Sequence, residues 1–352
     1  MSAVVDLRDN DAPVVDDEQV ISRRFNFVPS LSDWRDLNQR AKIARVSAAA
    51  VLVVLAMVGP HPLKGIGPTF AMDLGLIYAM IVIAVSVLGW IGEISLAVVA
   101  QMGFGLVVLN YLQRHHWPFP VILIAVVASS IPFSMLLGLF ALRLRGMNFI
   151  IATLAFGYLV QRSALAEYMG AGASSKGSVS RPSYLRTDDN LYYWILASLI
   201  VVAAICYMVG RSRIGKAIAA MRDSETAFWT LGHSTAAYKL FAVCLSGAIA
   251  TLAGSYFALL QLQVPSIYYQ PGLAIVFFGF ALAGGFGSIG GAIAAGMFFG
   301  ALPKYLEAYT NGGFTRFDFF FYGALSLVIF MKVKGGLGGL GQRLWARVEG
   351  KA

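Results

Sequence analysis

The sequence predicts an all-α protein that crosses a membrane about ten times. Of the 352 residues, 58% are hydrophobic and 13% are charged, a composition typical of polytopic membrane proteins. A crossing helix needs about 20 mostly apolar residues. The candidate segments are 43–59, 70–90, 92–112, 118–142, 147–169, 191–209, 240–262, 272–284, 289–306 and 314–331.

The segment 272–284 is short for a crossing helix. We expect it to tilt or to form a broken or re-entrant element that is protected by protein. After it, Gly287 and Gly291 lie four residues apart, as do Gly296 and Gly300. Small residues at this spacing let helices approach closely in lipid. The region is therefore predicted to pack against another helix, of this chain or of a partner subunit.

The charges predict the orientation of the chain. The net charge is +9, and membrane proteins collect Lys and Arg in their cytoplasmic loops. Ten crossings place both termini on the cytoplasmic side, together with the basic residues of the loop 210–239. The same side receives Arg143, Arg145, Lys332, Lys334, Arg343 and Arg347. The Gly- and Ser-rich loop 170–190 is predicted to be external.

Three regions follow from this arrangement. Residues 1–42 form a polar cytoplasmic tail that is predicted to be partly disordered, because its first half is acidic. Within it, 25–34 is either an interfacial helix or part of the unfolded tail. Residues 43–335 form the transmembrane domain, and 336–352 form a second cytoplasmic tail. The chain does not begin like a secretory signal, which would have a basic patch and an apolar core.

The loop 210–239 is the longest polar segment between two apolar blocks. Apolar residues recur in it at helical spacing, so we expect short amphipathic helices; they are Ala217, Ile218, Met221, Phe228 and Leu231. A basic helical loop on the cytoplasmic side presents a surface to a soluble partner.

The chain is not predicted to bind nucleotide or metal. Gly210, Gly215 and Lys216 fit a phosphate-binding loop, but Ala217 stands where a Ser or Thr would hold magnesium. The four histidines have no carboxylate or cysteine at ligand spacing, and the two cysteines are interpreted as reduced packing residues.

Charged residues inside the spans are almost absent. Asp73 and Glu93 are both placed near span ends. Proton- or sodium-driven carriers usually keep an ionisable residue at the middle of the membrane. The pattern therefore favours transport whose energy is supplied from elsewhere.

The loop 210–239 resembles the cytoplasmic loop of permease subunits in ABC importers, in particular the LivM type of the branched-chain amino-acid family. Glu225, Ala227 and Gly232 fit the Glu-Ala-Ala…Gly pattern of that loop. The helix after it is similar to the family's in its Tyr238-Lys239-Leu240 start and its Ala253-Gly254 pair. Four further stretches occur in the family's order, at 92–105, 141–157, 283–293 and 330–340. The likeness covers roughly residues 70 to 340.

The sequence departs from the family where a translocation path is expected. Val98 stands in place of a glutamine, Gln101 in place of an aromatic residue and Tyr158 in place of a glutamate. The external loop has only Gly172 and Gly177 where the family has a glycine-rich run. These departures bear on the substrate more than on the fold.

The resemblance implies an importer with several subunits in the plasma or inner membrane. This chain and a second permease subunit, LivH-like or identical, would form the path. Two ATPase subunits would bind on the cytoplasmic side, and an external binding protein would deliver the substrate. The chain itself would hold no cofactor and catalyse no reaction, since ATP hydrolysis would belong to the ATPase subunits.

The resemblance also implies two groups of functional residues. The ATPase-coupling group is Gly215, Arg222, Glu225, Ala227 and Gly232. Within it, Arg222 and Glu225 share a helix face and either pair with each other or contact the ATPase, and Gly232 ends a helix in the left-handed conformation. The substrate-path group is Ser95, Gln101, Thr153, Phe156 and Tyr158.

The substrate implied by the family is a branched-chain or other hydrophobic amino acid. Urea, short amides and aromatic or hydrophobic carboxylic acids remain alternatives. An ATP-independent secondary transporter or channel is an alternative of another class. An embedded enzyme or an assembly scaffold is disfavoured, because the sequence contains no catalytic cluster.

Overall fold

The computed structural model describes residues 66–144, 146–165, 179–182, 185, 187–230, 232, 234–262, 266–285 and 287–309. The predicted spans 43–59 and 314–331 and both tails lie outside these residues. The count of ten crossings and the position of the termini therefore stay predictions.

The described part of the chain is all-helical, as predicted. Its α-helices are α1 (Ile66–Trp90), α2 (Val98–Arg114), α3 (Phe119–Arg143), α4 (Met147–Val160), α5 (Asp188–Arg211), α6 (Arg213–Asp223), α7 (Glu225–Thr230), α8 (Thr235–Gln261), α9 (Gly272–Gly284) and α10 (Ile289–Tyr309). A π-helical turn, Gln161–Leu165, continues α4, and a 3-10 turn, Ser266–Tyr269, precedes α9.

Five of these helices are long and apolar enough to cross a membrane. They comprise Thr69–Trp90, Phe119–Phe140, Asp188–Arg211, Thr235–Gln261 and Ile289–Glu307. The predictions of helices at 70–90, 118–142, 191–209, 240–262 and 289–306 are thus confirmed. α9 is a short helix, as predicted from the length of the apolar segment 272–284.

The predicted span 92–112 is wrong at its start. Residues 91–97 are not helical, and α2 begins only at Val98. Gly92 has a φ of 75°, which a helix does not accommodate, and the backbone N–H of Leu96 donates to the side chain of Thr153 on α4. We refer to 91–97 as the broken segment.

α1 and α8 form the centre of the bundle, and most of each span is buried. α10 packs against α1 through glycines. A Cβ on Gly296 would overlap the backbone of Ala79, and a Cβ on Gly300 would lie 2.8 Å from the Cα of Gly75. For Gly296 and Gly300 the close packing predicted from the glycine spacing is confirmed, and the partner helix is α1 of the same chain.

α8 packs against α2 and α3 in the same way. A Cβ on Gly254 would overlap the carbonyl oxygen of Met102, and one on Gly105 would overlap that of Thr251. On the α3 side, a Cβ on Gly247 would overlap the hydroxyl of Ser134. The three helices therefore form a tightly packed unit.

The bundle has two distinct ends. At one end, which we call the loop end, α6 and α7 connect α5 to α8, and Trp90 at the end of α1 donates from its indole to the carbonyl of Gly287. At the opposite end, Arg181 donates to the carboxylate of Asp188 and to the backbone carbonyls of Leu259 and Leu260. Arg181 thereby holds the chain before α5 against the end of α8.

Candidate functional site

The corner between α5 and α6 depends on a glycine. Ser212 is the N-cap of α6, and its hydroxyl accepts a hydrogen bond from the backbone N–H of Gly215 at 3.4 Å. A Cβ on Gly215 would lie 2.5 Å from the carbonyl oxygens of Val209 and Gly210. Only glycine lets the two helices approach this closely, so Gly215, the first residue of the predicted coupling group, sets where α6 leaves the bundle.

The apolar faces of the loop helices point into the bundle. On α6, Ile218 and Met221 are buried, and on α7 Phe228 is buried with its ring 5.4 Å from that of Tyr238 on α8. The prediction of short amphipathic helices in this loop is confirmed. The loop is therefore anchored to the bundle by its apolar side chains.

The outer face of α7 carries a residue that the sequence analysis missed. The side chain of Trp229 is 71% exposed, and its neighbours Thr226 and Thr230 are also exposed. The sequence did contain a signal for it: Trp229 directly follows Phe228, and in a short helix only one of two adjacent residues can face the bundle. An exposed tryptophan at the end of a helical bundle is a strong candidate for contact with another protein.

The predicted residues Ala227 and Gly232 lie in and after this helix. Ala227 is in α7. Gly232 has a φ of 80°, and its N–H donates to the carbonyl of Trp229 at 2.9 Å. The left-handed helix end predicted at Gly232 is therefore present.

Glu225 and Arg222, the remaining members of the coupling group, both contact the membrane part of the chain. The ammonium group of Lys239, at the start of α8, lies 2.8 Å from a carboxylate oxygen of Glu93 and 3.1 Å from one of Glu225. A Cβ on Gly92 would lie 3.5 Å from the Cγ of Arg222, so the stem of Arg222 covers this glycine. The sequence analysis did not predict a link between Glu225 and Lys239.

Two residues of the predicted substrate-path group meet at the broken segment. Ser95 lies within it, and its hydroxyl accepts from the N–H of Ala97 at 3.2 Å. Thr153 on α4 accepts from the N–H of Leu96 at 3.1 Å and donates to the carbonyl of Ile150. Both side chains are buried, and together they satisfy backbone groups that a continuous helix would have paired internally.

Two other members of the group lie against α3. The buried Gln101 donates from its side-chain amide to the hydroxyl of Ser134 at 3.2 Å, where α2, α3 and α8 meet. Phe156 is half-buried, and its ring centre lies 5.7 Å from that of Phe133 and 6.3 Å from that of Phe140. The structure thus places these residues along the α3 side of the bundle.

Tyr158 is not brought together with the others. Its side chain is 48% exposed and lies on the outer surface of α4, where Ile151 and Leu159 are exposed as well. In a membrane protein, such a face contacts lipid or a second subunit.

Asp73 lies near the start of a span, as predicted. It is four residues after the first residue of the span Thr69–Trp90, and its side chain is fully buried. Neither carboxylate oxygen has a hydrogen-bond partner in the described part of the chain. Asp73 is thus a buried carboxylate near a span end, and it does not supply an ionisable residue at the middle of the membrane.

A family comparison identifies the class of protein. The family model of the branched-chain amino acid transport system permease component matches residues 68–330. This range contains the loop helices, the broken segment and every residue of both predicted groups. Neither a comparison with curated proteins nor one with solved structures finds a match. The chain therefore belongs to the family of permease components of branched-chain amino acid transport systems and is a multi-pass membrane protein.

Proposed function

We propose that the chain is the transmembrane subunit of an ATP-driven ABC importer in the plasma or inner membrane. It takes up branched-chain or other hydrophobic amino acids that an external binding protein delivers. The observation that carries this proposal is α7, a short helix that is fixed to the bundle by Phe228 and exposes Trp229 at the loop end. Membership of the permease family supports the substrate class.

The loop end suits a soluble ATPase. A short helix that docks into a groove buries a few anchor side chains, and tryptophan is among the residues that contribute most at such contacts. Two ATPase subunits hydrolyse the ATP, so this chain needs no catalytic residue and no cofactor. When the ATPase dimer closes, α7 moves and carries the attached helices with it as rigid bodies. A second permease subunit, LivH-like or identical, completes the path.

Three substitutions in the loop test ATPase coupling. We expect Trp229→Ser to weaken ATPase binding roughly 30-fold, because loss of an interface anchor costs about 2 kcal/mol or more. Ala227→Arg is expected to block docking. Gly232→Val is expected to do the same, because a β-branched residue disfavours a positive φ. Co-purification of the ATPase and substrate-stimulated ATP hydrolysis are the measurements.

The matched control is Trp117→Ser. Trp117 follows α2 at the opposite end and is half exposed, so the same chemical change there should leave the ATPase bound. All variants should insert into the membrane. Normal ATPase recovery and transport in the three loop variants would rule out docking through α7.

The orientation is tested by labelling. The basic residues of 210–239 support a cytoplasmic position for this loop. Cysteines at Ser224 and Ser175, in a chain whose two native cysteines are replaced, are treated with an impermeant thiol reagent in whole cells. We expect Ser175→Cys to react and Ser224→Cys to be protected. The reverse pattern contradicts the proposed orientation.

The substrate path is proposed to run past the broken segment and α4, along Ser95, Gln101, Thr153 and Phe156. Tyr158 joins it if the exposed face of α4 meets the second permease subunit. The alternative role of these polar groups is interhelical hydrogen bonding, at about 0.6–2 kcal/mol per contact. We expect Gln101→Leu and Tyr158→Phe to alter uptake selectivity at unchanged expression. Unchanged uptake in both variants would show that the path assignment is wrong.

Two alternatives are separated by experiment. The departures at Val98, Gln101 and Tyr158 leave urea, short amides and aromatic or hydrophobic carboxylic acids as alternative substrates, which binding assays with the external protein separate. An ATP-independent secondary transporter or channel is the alternative of another class, although the buried Asp73 lies only four residues into the span Thr69–Trp90 and not at its middle, where ion-driven carriers usually keep an ionisable residue. Uptake that persists in vesicles without the ATPase would support this alternative.

A further inference from the structure

We propose that Lys239 is a positioning residue that passes the movement of α7 to the broken segment through its contacts with Glu225 and Glu93. This inference rests on the proposed function, since it takes α7 to be the helix that the ATPase moves. It adds to that function a physical connection between α7, where the ATPase would dock, and the interior of the membrane domain.

Lys239 joins three separate parts of the chain. It lies in the first turns of α8, Glu225 is the first residue of α7, and Glu93 lies in the broken segment. The ammonium nitrogen is 2.8 Å from Glu93 and 3.1 Å from Glu225. One cation therefore holds two carboxylates that are 132 residues apart in sequence.

The two contacts differ in their access to solvent. The side chains of Lys239 and Glu93 are 8% and 11% exposed, whereas that of Glu225 is 31% exposed. Buried ion pairs are screened much less by salt than exposed ones. The inner contact is thus the more persistent one, and the outer contact is the one that can be exchanged when α7 moves.

The inner contact ends on the part of the membrane domain that is not helical. Glu93 follows Gly92, whose φ is 75°, and precedes Ser95 and Leu96. The N–H of Leu96 donates to Thr153 of α4. A series of contacts therefore runs from α7 through Lys239 and Glu93 to α4. Backbone outside a helix can change conformation without breaking an internal ladder of hydrogen bonds, so this segment is where a displacement can be taken up.

A second contact reaches the same place from α6. The stem of Arg222 covers Gly92. α6 thus reaches Gly92 of the broken segment by packing, whereas α7 reaches Glu93 only through Lys239.

The competing role for Lys239 is a static anchor that only fixes the start of α8. The two roles predict different defects. A static anchor affects stability and ATPase assembly together with transport. A transmitting contact affects the amount of substrate moved per ATP hydrolysed, while the ATPase still binds and turns over.

The test uses the complete importer with its ATPase and external binding protein in proteoliposomes. Glu93→Gln removes the inner charge, and Glu93→Asp keeps the charge but shortens the side chain. We expect both variants to retain ATPase binding and hydrolysis within about twofold. Substrate imported per ATP should fall at least tenfold in Glu93→Gln and less in Glu93→Asp. The combined reversal Glu93→Lys, Lys239→Glu and Glu225→Lys should recover part of the lost transport.

Glu307→Gln is the matched control. Glu307 accepts from Lys304 within α10, far in sequence from the loop, so its loss should leave the uptake per ATP unchanged. An unchanged ratio in Glu93→Gln, or a fall in hydrolysis equal to the fall in uptake, overturns the inference and leaves the proposed function intact. If the wild-type permease recruits no ATPase, both the proposed function and the inference are overturned. If Glu93→Gln fails to insert, Glu93→Asp decides by the same ratio.

Discussion

Gly254→Ala is expected to destabilise the membrane domain by at least about 3 kcal/mol, at the upper end of what overpacking costs. The new Cβ would overlap the carbonyl oxygen of Met102 and lie 2.5 Å from its Cα. These are backbone atoms of α2, which cannot rotate away as a side chain can. A loss of this size is a large fraction of a typical folding free energy of about 5–15 kcal/mol.

The contact between α2 and α8 has no free space for the added methyl group. On the other side of the same contact, Gly105 faces Thr251, and the hydroxyl of Ser255 donates to the carbonyl of Gly105 at 3.1 Å. Pushing the helices apart at Gly254 therefore also lengthens this hydrogen bond. We expect the loss to appear as a lower Tm and reduced yield in detergent.

The control is Gly279→Ala. Gly279 lies inside α9, and a Cβ there would meet no atom within 4 Å. The added methyl group should be neutral or stabilise the helix by up to about 1 kcal/mol. Equal Tm values for Gly254→Ala and wild type would contradict the packing of α2 against α8.

Gly215→Ala is expected to abolish ATPase association while the bundle still folds. The Cβ would lie 2.5 Å from two carbonyl oxygens at the end of α5, so α6 must swing away from the corner. Ile218 and Met221 would then leave their buried positions, and α7 would present Trp229 at a changed angle. A misplacement of about 1 Å can be decisive where a helix must fit a preformed groove.

Gly210→Ala is the control on the same corner. A Cβ on Gly210 would contact nothing within 4 Å, although Gly210 is only five residues before Gly215 in the sequence. We expect this variant to recruit the ATPase like wild type. Equal recruitment by both variants would show that the corner does not fix the loop helices.

The sequence predicted those parts of the fold that depend on local composition. Long apolar runs gave the spans that become α1, α3, α5, α8 and α10. The helical spacing of Ile218, Met221 and Phe228 predicted the loop helices. When one face of a helix lies in water, its apolar residues recur in the sequence with the helical period.

Features that depend on distant contacts were not predictable in this way. The broken segment is as apolar as a helix, with Ile91, Ile94, Leu96 and Ala97 in it. The positive φ of Gly92 and the contact of Leu96 with Thr153, 57 residues later, show that this segment is not the start of the helix predicted at 92–112. The contact of Lys239 with Glu93 spans 146 residues, and no local pattern encodes it.

The position of Tyr158 illustrates a second limit. Within a membrane, a lipid-facing side chain is as apolar as a core side chain, so periodicity does not separate the two faces. Asp73 illustrates a third. Its position near a span end was predicted, but only the packing of α1 shows that its side chain is buried.

The pairing of α1 with α10 has a consequence for biosynthesis. α1 is among the first described helices to be made, yet the glycines that cover Gly75 and Ala79 belong to α10, near the end of the described chain. At about 5–20 residues per second, the roughly 200 intervening residues take about 10–40 s to synthesise. During this time the surface of α1 that α10 will cover is open to lipid or to the insertion machinery. A ribosome that stops before α10 therefore releases a product whose central helix is uncovered, and we expect such a product to be degraded before it can recruit an ATPase.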